Sequence, residues 1–489
     1  MGFKRIIFCT LLLISLLAAM ILCAPAAAAT AGEQKSHIGT ILPWWTSLPF
    51  LGILLSIALC PLLVPRFWHL HYGKVSAFWA LLFSIPFMYA FPEIAPHEVL
   101  YVLLIDYVPF IILLWGLYTI AGGIVITGRF SGTPLNNTGL LLMGTLLASW
   151  VGTMGASMVM IRPVLRANKH RRFKVHIVCF FIFLIANIGG SLTPLGDPPL
   201  FLGFLHGVPF FWVTTAIVPH MLFATAILLL IFFIVDTVYF RKEKEEEIES
   251  ELHKTVFLKI EGRRNIILLA GVISMVVMSG YWKAGSFHIQ GMEIQWQNVA
   301  RDAMILLLGI VSLVITPGRH RKANDFGWFP IVEVAKLFVG IFVTIIPVLA
   351  ILKAGKDGAA SGFIALVKEP YHYYWASGVL SSFLDNAPTY LAFFNLALGQ
   401  LGIPAGMVPA ALSHNTTFTN AAFAGFLKGI SVGAVFMGAN TYIGNAPNFM
   451  VRSIAKEFGV PMPSFFGYMF KYSIPILLPV FIIITFVFF

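Results

Sequence analysis

Charge is what this sequence has least of. Of its 489 residues only 11% are Asp, Glu, Lys or Arg, while 58% are hydrophobic. A soluble domain carries roughly 25% charged residues, so that class is excluded. The mean hydropathy of +0.87 points the same way. Acidic residues are the scarcer sign, 21 against 32 basic, and the net charge of +11 raises the question of nucleic acid. The basic residues fall between apolar runs, however, which is how a membrane protein is oriented and not how a nucleic-acid face is built. Cysteine is nearly absent as well. Cys9, Cys23, Cys60 and Cys179 all sit in apolar stretches without ligand spacing, so neither a disulfide framework nor a zinc site is supported. No nucleophile–base pair or metal-ligand constellation stands out either, which argues against an enzyme.

What the chain has in abundance is apolar runs of the roughly 20 residues that cross a bilayer as helix. The fold class they define is an all-α polytopic membrane protein. At the N-terminus, Lys4 and Arg5 precede an apolar run and then Ala24-Pro25-Ala26-Ala27-Ala28-Ala29. Residues 1–31 therefore read as a signal-peptide-like segment, the alternative being an uncleaved first span. With the signal removed, spans are expected at about 45–64, 75–91 and 102–127, with basic residues such as Arg66, Lys74 and Arg129 inside. The run 138–165 holds Gly152-Thr153-Met154-Gly155-Ala156-Ser157 in its middle. If it crossed, the basic loop containing Arg166, Lys169, Arg171, Arg172 and Lys174 would face outward. A re-entrant hairpin avoids this. A broken span at 175–205 and a span at 212–239 complete a first repeat, 45–240.

The mixed-charge segment 241–264 reads as a cytoplasmic linker. A second repeat, 265–489, follows the same order: spans at 266–282, 303–317 and 332–352, a hairpin at 374–398, a broken span at 425–456 and a last span at 472–489. An odd number of true crossings per half inverts the second half relative to the first. Inverted repeats with broken helices are the architecture of alternating-access transporters.

The two breaks match each other. The first is Gly189-Gly190-Ser191-Leu192-Thr193-Pro194-Leu195-Gly196-Asp197-Pro198-Pro199, and the second is Gly438-Ala439-Asn440-Thr441-Tyr442-Ile443-Gly444-Asn445-Ala446-Pro447. Laid together, Thr193 meets Thr441, Gly196 meets Gly444, and Asp197 meets Asn445. Two such breaks and two hairpin tips should converge near the midplane, where helix N-termini and freed carbonyls can hold ions. Hard cations such as sodium prefer oxygen. The candidate ion-binding residues are Asp197, Asp385, Thr153, Ser157, Ser191, Thr193, Asn386, Thr389, Asn440, Thr441 and Asn445. Asp197 and Asp385 are the two carboxylates among them, and so the expected sodium ligands. The plainer reading of Asp197 is a helix N-cap ahead of Pro198, although Asn445 would cap as well without a charge. By sequence, Asp385 in the second hairpin aligns with Thr153 in the first.

Other polar residues have blander readings. Glu333 and Lys336 could pair along a helix. Asp106 and Asp236 lie near span ends, Asn136 and Asn137 read as hairpin caps, and His414 reads as outer loop. The phenylalanines read mostly as lipid-facing filler.

The strings Gly152-Thr153-Met154-Gly155-Ala156-Ser157 with Ile161-Arg162-Pro163, Gly196-Asp197-Pro198-Pro199-Leu200-Phe201-Leu202-Gly203, and Leu384-Asp385-Asn386-Ala387-Pro388-Thr389 resemble NhaD-type sodium/proton antiporters. Those belong to the ion-transporter superfamily that includes citrate and dicarboxylate carriers and the arsenite pump membrane subunit. The resemblance spans essentially the whole mature chain. It implies a homodimer in the bacterial inner membrane, with both hairpins and both broken helices moving as an elevator. Sodium-coupled dicarboxylate carriers of this superfamily show Ser-Asn-Thr at both hairpin tips. Here Gly152-Thr153-Met154 and Asp385-Asn386-Ala387 stand there, and an anion at a tip would repel an anionic substrate. The leading expectation is therefore sodium/proton exchange, in which the two ions compete for the carboxylates. No resident cofactor is expected, sodium and protons being cargo. The alternative is sodium- or proton-coupled transport of citrate or a related organic anion.

Overall fold

The computed structural model describes residues 38–129, 131–243, 257–364, 366–413 and 418–489. The signal-like segment, most of the linker and His414 lie outside these. Among the described residues nine helices are long and apolar enough to cross a membrane, or up to 11 if each bent pair is one span. The chain is a multi-pass membrane protein.

The first half opens with α1 (Leu48–Leu63), α2 (Pro65–Ala90) and α3 (Ala95–Ala121). Arg66 and Lys74, expected in a loop, lie instead inside α2, which begins at Pro65 directly after α1. The third span also ends earlier than expected. A short strand β1 (Val125–Arg129) follows it and pairs antiparallel with β2 (Phe257–Glu261) from the linker. Then come the hairpin α4 (Pro134–Val151) and α5 (Thr153–Ala167), the half-helices α6 (Val175–Leu184) and α7 (Pro198–Leu205), and α8 (Phe210–Phe240).

The second half repeats this order. It runs through α9 (Arg263–Tyr281), a hairpin of β3 (Ser286–Ile289) and β4 (Met292–Gln295), and α10 (Trp296–Ile315). Next is the bent pair α11 (Phe329–Thr344) and α12 (Ile346–Lys353), inclined by 43°. The second hairpin is α13 (Pro370–Phe383) and α14 (Asn386–Leu401), and the second broken span is α15 (Ala421–Met437) and α16 (Ala446–Glu457). The last span, α17, covers Phe465–Phe488.

Both hairpins return to their starting side. At the open end of the first, Asn137 bonds Asn168 at 2.9 Å and Arg171 donates to the Gly132 carbonyl at 3.1 Å. At the open end of the second, Tyr373 donates to Gln400 at 2.6 Å. Helix α8 serves as a ruler for their relative direction. The first hairpin's open end touches Asp236, through Asn137 at 2.9 Å. The second reaches α8 through Tyr374, whose ring stacks on Phe489, which in turn meets His220. His220 and Asp236 are roughly 24 Å apart at 1.5 Å per residue. The hairpins thus enter from opposite faces, as inverted repeats require.

Burial separates inner from outer helices. The first broken span, Val175–Leu192, is 89% buried, against 17% for α2. Polar breaks are therefore wrapped in protein, which is where non-helical backbone is tolerated at membrane depth. The phenylalanines divide between both environments: Phe180, Phe181 and Phe183 are fully buried, while Phe78 and Phe486 face outward. Asp236 and Asp106 are not at the surface either. Asp236 is fully buried between Arg171 and His176, each at 2.7 Å, and Asp106 is buried against His206 at 3.3 Å. Asn137 is no cap, since Thr133 holds that position. Lys336 does not pair with Glu333; its ammonium lies 5.5 Å over the Tyr72 ring.

Candidate functional site

Two helix breaks and two hairpin tips meet at Asp197. This residue is extended, with φ −141° and ψ 142°, and its side chain makes no cap hydrogen bond to α7. The carboxylate turns to the other three tips instead. Thr153 Oγ1, at the first residue of α5, donates to Asp197 Oδ1 at 2.9 Å. Asn445, just before α16, donates from Nδ2 to the same oxygen at 3.1 Å. Asn386, the first residue of α14, donates from Nδ2 to Asp197 Oδ2. Asp197 is 1% exposed, so each donor replaces hydration the carboxylate has lost. The plain N-cap reading of Asp197 does not match this geometry.

Asp385 is placed differently. It does cap its helix, accepting from the Ala387 amide at 3.0 Å. It also lines the same cleft as Asp197, Thr153 and Asn445. That cleft has a volume of about 40 Å³ and an apolar far wall from α3 and α11, including Phe110, Leu117 and Phe338. A single water needs roughly 10–15 Å³ of such space, so the cleft in this form has room for about three waters. Thr153, Pro198 and Ala446, each at the start of a helix, line it too. Helix N-termini therefore surround a site with no basic side chain in its lining.

The other candidates divide. Thr193 braces the first break by donating to the Ser149 carbonyl, and Thr441 braces the second by donating to the Ser382 carbonyl at 2.5 Å. Asn440 donates to Ser382 Oγ at 2.9 Å. Ser191 and Thr389 bond carbonyls of their own segments, Ile188 at 2.8 Å and Asp385 at 3.0 Å. Ser157 is fully buried one turn into α5, and its hydroxyl has no hydrogen-bond partner among the described residues. The hairpin register is also one residue off the sequence alignment. Gly152 and Asp385 hold equivalent positions immediately before α5 and α14, so Thr153 matches Asn386, not Asp385. Gly152 takes φ 83°, which glycine alone adopts without strain.

Sequence reasoning passed over a second pair of amides. Asn187 Nδ2 donates to Asn448 Oδ1 at 2.8 Å, and Asn448 Nδ2 donates to the Gly438 and Thr441 carbonyls, each at 2.9 Å. These bonds tie the first break to the second behind the carboxylate. The available signal was an amide side chain beside each glycine-rich break, where freed carbonyls need donors.

Such a site, on paired broken helices and opposed hairpins, defines a polytopic carrier protein. The chain belongs to the family described as "Putative citrate transport", whose model matches residues 39–489. It is similar to an uncharacterized transporter of Mycobacterium tuberculosis (strain ATCC 25618 / H37Rv), 24% identical over 374 residues, which cover 72% of this chain and 79% of the relative. An uncharacterized transporter of Mycobacterium bovis matches to the same extent. Family and relatives alike are described as transporters and not as enzymes.

Proposed function

We propose that this protein is a secondary transporter that exchanges sodium for protons, with Asp197 as the exchanged site and Asp385 as an auxiliary carboxylate at the cleft. The observation that carries this reading is the convergence of three donors, one from each other tip, on the Asp197 carboxylate. Protonation and cation binding are alternative ways of neutralising one buried charge, so the two ions exclude each other. Asn386 Oδ1 has no hydrogen-bond partner among the described residues. A half-turn of its amide would exchange a donor for an acceptor next to the carboxylate, as cation coordination requires. Ser157 Oγ adds another unmet oxygen on α5. Alternating access would come from movement of both hairpins and both broken helices, in a homodimer in the bacterial inner membrane, as the resemblance implies.

The second reading is coupled transport of citrate or a related organic anion. It is favoured by the family description and by the helix N-termini around the cleft, which attract anions. Purified protein in proteoliposomes separates the two. An outward sodium gradient that acidifies the lumen without added substrate supports exchange. Sodium-dependent uptake of radiolabelled citrate, with no sodium-driven proton movement in its absence, replaces that reading with the second.

A further inference from the structure

A second cavity lies away from Asp197, where the far ends of α5 and α16 meet the connection between α10 and α11. It has a volume of about 370 Å³ and is lined by Arg162, Arg166, Lys322, Asp325, Glu457 and Phe458, with Ala323. Arg162 lies nine residues beyond Thr153 on α5, so this cavity is roughly 14 Å along the helix from the carboxylate site. Its three cationic side chains outnumber its two carboxylates. Arg162 is 7% exposed, and its Nη1 has no hydrogen-bond partner among the described residues. A buried guanidinium with an unmet donor is costly unless something accepts from it. Its one ion pair among the described residues is weak. Nη2 reaches Asp325 at 3.4 Å, and the Asp325 side chain is 78% exposed, so solvent screens the bond. Arg166 is held in place beside it, donating to the Arg162 carbonyl at 3.3 Å and to the Ile126 carbonyl at 3.1 Å.

We propose that Arg162, Arg166 and Lys322 form a binding site for a small polycarboxylate anion, distinct from the Asp197 cleft. Guanidinium groups match carboxylates in a bidentate geometry, and two of them with an ammonium suit a ligand bearing two or three carboxylates. Such a ligand would displace Asp325 from Arg162 and satisfy Nη1. It would also bridge the first hairpin to the α10–α11 connection, holding the two together. The site does not depend on what the central cleft carries.

The test is direct binding of citrate, acetate and inorganic phosphate to the full-length protein in detergent, by calorimetry without sodium. Citrate is expected to bind, acetate not, and phosphate at least tenfold more weakly than citrate. Lys322 is exposed, so Lys322→Gln folds, and it should weaken citrate at least tenfold. Arg166→Gln should do the same, and Arg162→Gln more. Asp197→Asn should leave citrate binding unchanged, which separates this site from the central one. Absence of citrate binding, binding that Lys322→Gln and Arg166→Gln leave intact, loss of binding in Asp197→Asn, or phosphate binding as tight as citrate would each overturn the proposal.

Discussion

The two helix breaks solve one backbone problem and differ in one charge. In the first, a Cβ on Gly196 would stand 2.1 Å from the Gly190 carbonyl oxygen; in the second, one on Gly444 would stand 2.5 Å from that of Gly438. Thr193 and Thr441 each donate to a hairpin carbonyl and each accept the amide two residues on, from Leu195 at 3.1 Å and Ile443 at 3.2 Å. These two hydrogen bonds are thus repeated in both breaks. The residue that follows is not: Asp197 in one copy, Asn445 in the other. Neither side chain caps its own helix. Instead the amide of one donates to the carboxylate of the other at 3.1 Å. The difference is what makes the two copies complementary. Two carboxylates at that distance would repel, and two amides would leave no charge for an ion to neutralise.

Removing that difference should have the largest effect. Asp197→Asn makes the breaks alike and keeps the side chain's size. In proteoliposomes its sodium-dependent proton flux should fall at least a hundredfold, about 2.7 kcal/mol of lost function by the usual conversion. Elution on gel filtration should be unchanged. Exchanging the pair, Asp197→Asn with Asn445→Asp, restores one acceptor and one donor at the same contact. The double variant should regain at least tenfold over Asp197→Asn alone. Wild-type flux in the single variant would remove the carboxylate from the mechanism.

The frame itself should respond equally in both halves. Gly196→Ala and Gly444→Ala each force a methyl group against a backbone oxygen that cannot swing away. Overpacking of this kind costs roughly 2 kcal/mol, the middle of the usual range. Both variants should lose thermal stability in detergent by similar amounts. A loss confined to Gly196→Ala would show that the two breaks are not equivalent, whatever their sequences suggest.

Much of this frame was legible because glycine and proline are strong local signals. The two breaks, both hairpin tips and the opposed direction of the halves follow from Gly152, the Gly196 and Gly444 segments, and the placing of basic residues. What was not legible depends on tertiary contact. Thr153, Asn386 and Asn445 lie far apart in sequence, and nothing local says that all three donate to Asp197 and not to Asp385. The one-residue shift that pairs Thr153 with Asn386 is set by where each helix starts, which alignment by residue type misses. Asn187 and Asn448 were overlooked because an isolated amide in an apolar run has no period to betray it. Asp236 read as a span-end charge because its partners Arg171 and His176 come from a different segment.

The smallest effect, and the sharpest measure of symmetry, concerns the two threonine braces. Thr→Val keeps shape and removes the hydroxyl, leaving buried groups without partners. At Thr193 these are the Ser149 carbonyl and the Leu195 amide. At Thr441 they are the Ser382 carbonyl, the Ile443 amide and the Gly444 amide, the last bonded at 3.1 Å. Each buried unsatisfied group costs roughly 1 kcal/mol or more, although relaxation recovers part of it. Both valine variants should therefore unfold at lower temperature in detergent, with Thr441→Val the worse by about 1 kcal/mol for its extra amide. Thr→Ser restores the hydroxyl and should recover most of the loss at each site. Equal losses would mean that the Gly444 amide finds another acceptor when the hydroxyl goes. A serine variant as unstable as its valine counterpart would assign the threonines to packing by their methyl groups and not to bracing the breaks.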